Sequence, residues 1–262
     1  MTAPAQPGGP AATAGATAPA GALTHRQILV VLSGLLLGMF LAALDQTIVS
    51  TAMRTIADEL NGQTAQAWVT TAYLITSTIS TPLYGKLSDQ YGRKPFYLAA
   101  IVIFLVGSVL CGLAGSIYEL AAYRAVQGLG AGGLMSLAFA IVGDLVPPRE
   151  RGRYQGWFMA VFGTSSVLGP VLGGGLAGQE TLLGIDGWRW IFYLNVPIGL
   201  VALFVVSRVL TLPRKTSETS VDLVGAALLT STIVPVLLVA EKGREWGWAS
   251  GLTVGLVALS VV

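Results

Sequence analysis

An all-α polytopic membrane protein is the architecture this sequence predicts, and three observations carry it. Apolar runs of the roughly 20 residues needed to cross a bilayer recur along most of the chain. Charged residues make up 11% of the 262 residues against 53% hydrophobic, with a mean hydropathy of +0.71, whereas a soluble domain carries roughly 25% charged residues. The basic side chains fall in short clusters between the runs, mostly on alternate loops.

The chain opens with an Ala-, Pro- and Gly-rich segment whose first 24 residues carry no charged side chain. It has neither the basic start nor the compact apolar core of a secretory signal. Residues 1–26 are therefore read as a disordered tail, with His25, the only histidine, inert within it. Spans are predicted near 28–51, 66–85, 96–115, 120–143, 155–178, 190–210 and 222–241, and an eighth begins near 250. The six spans over 27–210 form one unit. Residues 211–221 read as a cytoplasmic linker, and 222–262 as a seventh span and an incomplete eighth, separated by an outer loop carrying Trp246 and Trp248. Because Val262 falls inside an apolar run, the sequence is expected to belong to a longer protein.

Short cytoplasmic loops collect Lys and Arg. With the amino terminus inside, ten basic residues face the cytoplasm: Arg26, Lys86, Arg93, Lys94, Arg149, Arg151, Arg153, Arg208, Arg214 and Lys215. Four face outward: Arg54, Arg189, Lys242 and Arg244. The expected location is the cytoplasmic membrane, multi-pass, with the amino terminus in the cytoplasm.

Several function classes are excluded. A net charge of +2 without a basic stripe argues against a nucleic-acid partner. The single Cys111 lies in an apolar run and builds neither a disulfide nor a cysteine metal site. The sequence has no His/Cys metal cluster, no buried base for serine catalysis and no phosphate loop for ATP, so no cofactor and no enzymatic activity are expected.

The stretch "YRAVQGLGAGGLMSL" (123–137) contains Gly128, Gly130 and Gly133 in the spacing of a dinucleotide-binding loop. Such a loop follows a strand in a soluble unit and has an acid some twenty positions on. Here the glycines lie within an apolar span, and Asp144 is only 11 residues past Gly133. On a helix, Arg124, Gln127, Gly128 and Gly132 share a face: a packing seam that carries a charge. An arginine in hydrocarbon costs at least about 2.5–3.5 kcal/mol, so Arg124 either has an anion or a watery cavity, or reaches back to the outer interface. Asp45, in "LAALDQTIVSTAM", lies at similar depth in the first span. The two can meet or share water. Burial favours a neutral acid and a guanidinium favours its charged form, opposed influences suited to a proton carrier. A permanent structural ion pair is the alternative.

Five stretches resemble one family. "GKLSDQYGRKP" (85–95) is similar to the G-x-L-x-D-x-x-G-R-K motif of the major facilitator superfamily, with Gly85, Asp89, Gly92, Arg93 and Lys94 in place. "YRAVQGLGAGG" resembles its fourth-helix R-x-x-Q-G motif, which the family links to proton coupling. "GTSSVLGPVLGGG" (163–175) is similar to the antiporters' fifth-helix motif, here Gly169, Pro170, Gly173 and Gly174. "LDQTIVSTA" and "WRWIFYLNVPIG" (188–199) resemble drug:proton antiporters with fourteen spans.

The physical reading of these motifs is specific. Gly85 and Gly92 permit a tight reversal, and Asp89 and Arg93, four apart, pair if locally helical. With Asp144 they can latch helices two and four together; the resemblance implies that this latch, of which Lys94 is a motif member, holds an outward-open state. Gly169 and Gly173 permit close helix approach, and Pro170 favours a kink beside Gly174. The resemblance implies a major facilitator fold: an amino-terminal six-helix bundle followed by the start of extra central helices. The implied activity is proton-coupled export of drug-like amphipathic or cationic compounds, with Asp45 and Arg124 handling the proton. Its partners are the small-molecule substrate, protons, the bilayer and the carboxy-terminal half of the same transporter. Export of a lipid, siderophore or other natural product, or a non-transporting sensor or assembly role, are the alternatives.

Overall fold

The computed structural model describes residues 25–210 and 223–261. The linker predicted at 211–221 and the first 24 residues of the predicted tail lie outside the described residues. Helix α1 is His25–Glu59, α2 Gln66–Tyr91, α3 Arg93–Leu113, α4 Ile117–Leu145 and α5 Arg151–Ala177. A hairpin of β1 (Thr181–Leu182) and β2 (Ile185–Asp186) precedes α6 (Arg189–Tyr193), α7 (Asn195–Val209), α8 (Leu223–Trp246) and α9 (Gly251–Val261). His25 and Arg26 thus begin a helix rather than ending a tail.

Local chemistry explains the boundaries. Ser116 caps α4 by accepting from the Glu119 N–H, while the Glu119 carboxylate accepts from the Gly115 N–H. Val146 is extended, the conformation favoured before a proline, and Pro147 and Pro148 follow the helix. Arg151, at the start of α5, donates to the Gly143 and Val146 carbonyls and so satisfies the end of α4. The segment "GKLSDQY", read from the sequence as loop, is the last part of α2; the reversal into α3 is made at Gly92 alone, at φ +102°. "EKGREW", expected in an outer loop, completes α8. The hairpin turn at Leu183 and Gly184, with φ of +53° and +78°, was not foreseen; both central residues have the positive φ of a twist-matched two-residue turn.

Among the described residues, five segments are long and apolar enough to cross a membrane: α1 from Arg26, α3, α4, α5, and α6 with α7 as one unit, Arg189–Val209. Helix α2 has the length, 26 residues, but many Ser and Thr. Their hydroxyls turn back on their own helix: Thr76 on Ala72, Ser77 on Leu74, Ser80 and Thr81 on Ser77. This self-satisfaction lets a helix of low hydropathy sit inside a bundle.

The apolar interior consists of two clusters. One gathers Leu32, Leu35, Met39, Tyr97, Phe104, Leu134, Leu137, Tyr154 and Phe158. The other gathers Leu44, Ile48, Ile56, Val69, Leu120, Trp188, Ile191 and Phe192. Helix α4 lies against α2, α3 and α1, and its glycines set how closely. A Cβ on Gly128 would strike Thr76 and the Tyr73 carbonyl of α2, and one on Gly132 would strike Ser80 and the Ser77 carbonyl. A Cβ on Gly130 would lie 2.5 Å from the Phe104 nitrogen of α3. The dinucleotide-like spacing is therefore two interleaved glycine seams serving two neighbours.

The fifth-helix motif divides in the same way. Gly169 and Gly173 pack on Thr47 and Ile48 of α1, whereas Gly174 and Pro170, which the sequence reading placed in the same packing motif, are exposed. A Cβ on Gly174 would meet nothing within 4 Å, and helix α5 runs without interruption through Pro170.

Gly132→Ala should therefore lower the stability of the detergent-solubilised protein by about 1–3 kcal/mol, read as a fall in its unfolding midpoint. Gly174→Ala, in open space, should leave the midpoint unchanged or raise it.

Candidate functional site

Between the two apolar clusters lies a thin polar layer. Each of four elements contributes one or two residues from the point where its buried surface passes from one cluster to the other: Asp45 from α1, Ser108 from α3, Arg124 and Gln127 from α4, and Asn195 from α7. All five are at most 1% exposed. Arg124 Nη1 donates to Asp45 Oδ2 at 2.5 Å and to Gln127 Oε1 at 2.7 Å. The other carboxylate oxygen, Oδ1, accepts from Gln127 Nε2 at 2.9 Å and Asn195 Nδ2 at 2.6 Å. Asn195 Nδ2 also reaches Ser108 Oγ at 2.8 Å, and that hydroxyl donates to the Phe192 carbonyl at 2.9 Å.

The two charges that sequence placed at similar depth thus meet directly. The guanidinium carbon also lies 4.0 Å from the centre of the Tyr73 ring, whose face attracts a cation. Three donors converge on the carboxylate, so its charged form is fully solvated by protein. Gln127 is part of this site as well as of the seam: it bridges cation and anion, and α3 comes against its backbone because Gly107 has no Cβ, which would lie 2.6 Å from Gln127 Cα. The sequence reading missed Asn195, Ser108, Tyr73 and Gly107. Asn195 had a visible signal, a lone amide inside the apolar run "WRWIFYLNVPIG".

The sixth span has a gap beside this layer. Pro197 has no N–H for the Tyr193 carbonyl four residues back, and the helix is interrupted at Leu194 between α6 and α7. The backbone at Leu194 stays helical at φ −58° and ψ −29°. The span is therefore one rod with a hydrogen-bonding gap, next to Asn195.

A second ionic cluster sits where α2, α3 and α4 end together. Arg93 donates to Asp89 at 2.6 Å, to Asp144 at 3.0 Å, to Ser88 Oγ at 2.6 Å and to the Gly85 carbonyl at 3.3 Å. Asp89 and Arg93 pair across the Gly92 turn, from the end of one helix to the start of the next, rather than along one helix as the spacing suggested. Two sequence assignments change. Gly85 lies within α2 and makes no reversal; its carbonyl is the contribution. Lys94 takes no part in the cluster and donates to the Ser207 carbonyl near the end of α7 at 2.7 Å.

Cys111 packs beside the polar layer, its thiol 3.7 Å from Gln127 Oε1, and is 0% exposed. A membrane-permeant maleimide should leave Cys111 unmodified in the folded protein and label it fully after denaturation, as read by peptide mass spectrometry; labelling of the folded form would contradict this packing.

The chain matches the family model described as Major Facilitator Superfamily over residues 35–262. It is 42% identical over 233 residues to Multidrug resistance protein 3 of Bacillus subtilis, covering 88% of this chain and 44% of that protein. It is 37% identical over 234 residues to the multidrug transporter protein MdtP of the same organism, covering 89% of this chain and 42% of that one. The chain thus spans less than half the length of these relatives. Among solved structures it resembles the proton:xylose symporter XylE, with a TM-score of 0.62 at 18% identity over 90% of this chain and 53% of that one. A bacterial homolog of the human lysosomal transporter Spinster, in an inward-facing state, gives 0.64 at 17% identity over 91% of this chain and 61% of that one; these two likenesses concern the fold alone. With a family model covering most of the chain and close relatives that are transporters, the protein is a multi-pass membrane protein of the major facilitator superfamily, a family of transporters and not of enzymes.

Proposed function

We propose that the chain supplies the amino-terminal bundle of a proton-driven exporter of amphipathic or cationic drug-like compounds in the cytoplasmic membrane, with Asp45 as the proton carrier. The observation that carries the reading is the Asp45 carboxylate, buried in a membrane span and held by Arg124, Gln127 and Asn195. Intramembrane ionisable groups that are retained with a partner mark ion pathways. Protonation would neutralise Asp45, cancel its pull on Arg124 and free the helices that it joins, α1, α4 and α7. The names of the two Bacillus relatives support a drug substrate. So does an apolar groove of about 460 Å³ between α1 and α5, lined by Leu36, Leu37, Phe40, Trp157 and Val161, since amphipathic ligands bind in largely apolar pockets with few polar groups.

In the cycle, Asp45 binds a proton while open to the outside and loses it to the cytoplasm, and the substrate occupies the cavity between this bundle and the second. One proton supplies about 2.3 kcal/mol per 100 mV and about 1.4 kcal/mol per pH unit. Together these sustain a substrate gradient of about two to three orders of magnitude. Arg93 with Asp89 and Asp144 acts as a cytoplasmic latch that breaks and reforms as the bundles rock.

Asp45→Asn keeps the amide-sized shape and removes the titrating group. In inverted vesicles containing the full-length protein it should abolish substrate-induced proton release, followed with a pH-sensitive dye, at wild-type expression. Proton-coupled efflux persisting in that variant rules Asp45 out as carrier. Arg93→Ala should reduce transport by about tenfold or more, equivalent to about 1.4 kcal/mol, while substrate binding to the solubilised protein stays near wild type.

A further inference from the structure

We propose that Asn195 reads the protonation state of Asp45 and passes it, through Ser108, to the hydrogen-bonding gap in the sixth span. The inference rests on Asp45 being the proton carrier and adds how the proton's arrival moves a helix. In the present arrangement both hydrogens of the Asn195 amide are used, one on Asp45 Oδ1 and one on Ser108 Oγ. The other end of the same amide, Oδ1, is buried with no hydrogen-bond partner among the described residues. An amide that spends both donors and leaves its acceptor idle in the interior is the arrangement that an unprotonated Asp45 Oδ1 calls for.

A proton on Asp45 Oδ1 changes what that oxygen requires. The O–H must donate, and it faces an NH2 group that can only donate. Reversing the Asn195 side chain about its last torsion turns the idle Oδ1 towards Asp45, where it accepts, and carries the NH2 group with its two hydrogens to the place that Oδ1 leaves. It also turns an acceptor towards Ser108, so the Ser108 hydroxyl swings from the Phe192 carbonyl to Asn195 Oδ1. The Phe192 carbonyl, two residues before the interruption at Leu194, is released. One proton is gained at Asp45; Asn195 and Ser108 gain and lose none, and only hydrogen bonds change.

The other groups around the site do not compete for this role. From α4, Arg124 and Gln127 face Asp45, and Gln127 has both ends occupied, Oε1 by Arg124 and Nε2 by Asp45. From α2, Tyr73 meets Arg124 with its ring face. From α3, Cys111 reaches Gln127 Oε1 and Ser108 reaches Asn195. Of these groups, the amide with an acceptor to spare is Asn195, and Ser108 is the hydroxyl that joins it to the sixth-span backbone. Both are positioning residues; neither carries the proton.

The test uses the full-length protein and ethidium as the probe cation, with two readouts for each variant: proton uptake by the purified protein on an acid step, and efflux driven by an imposed pH gradient. Ser108→Ala removes one oxygen. It should keep the proton uptake that Asp45→Asn lacks, while gradient-driven efflux falls by about tenfold or more; Ser108→Thr should restore it. Wild-type efflux in Ser108→Ala overturns the relay and leaves the Asp45 assignment standing. Wild-type uptake and efflux in Asp45→Asn removes the proton carrier itself. As a check on the native protein, infrared difference spectra between acid and alkaline pH should show an asparagine side-chain carbonyl band moving to the frequency of a hydrogen-bonded amide, and Asp45→Asn should lack it. A wild-type spectrum without that band overturns the amide reversal.

Discussion

The structure depends on one constraint: a carboxylate and a guanidinium share a site inside a membrane bundle and must remain satisfied there. Either charge alone would be costly in hydrocarbon. Together, with Gln127 and Asn195 closing the remaining valences of Asp45, they form a layer from which apolar packing extends in both directions. The layer fixes the relative height of α1, α4 and α7, since a shift of one turn would separate the donors from the acceptor. The glycines serve the same end. Gly107 brings α3 against Gln127, and Gly128 and Gly132 bring α2 close enough for Tyr73 to lie over Arg124.

Much of the architecture was legible in the sequence because a bilayer imposes a simple code. Apolar run lengths marked the helices, and the Arg93 motif located the α2–α3 reversal. The boundaries were less legible where polar residues belong to helices. "GKLSDQY" reads as loop by composition yet is helical, with Asp89 at the end of the span, where it meets Arg93. "EKGREW" is helical for a similar reason, with Lys242 pairing with Glu245 one turn on and lying over Trp68 of α2. The hairpin at Leu183 and Gly184 was hidden because positive φ at a leucine has no sequence signal.

The site was half legible. Asp45 and Arg124 stand out because a charge in an apolar run is rare, and the antiparallel order of α1 and α4 put them at one depth. Asn195 and Ser108 were hidden by their ordinariness, since a single amide or hydroxyl in a membrane helix most often bonds to its own backbone. Spacing also could not sort the glycines of 128–133 into seams, or separate Gly173 from Gly174, because that depends on which neighbour lies on which side.

The two ionic clusters differ in a way that orders the events of any rocking motion. In the Arg93 cluster the acids are 41% and 42% exposed, and pairs of that kind contribute about 0–1 kcal/mol each. Water can replace them as they part. The Asp45–Arg124 pair is sealed, with 0% and 2% of its side chains exposed, and leaving one partner of such a pair alone costs about 3–5 kcal/mol. Thermal motion can therefore open the Arg93 cluster without help, whereas α1 and α4 cannot separate at Asp45 while both charges persist. Neutralising the carboxylate removes the opposing charge, and the Tyr73 ring face and Gln127 Oε1 remain as contacts of Arg124. If Asp45 is the proton carrier proposed above, the buried pair holds the bundle until a proton arrives, and the exposed cluster yields to whatever the pair then permits.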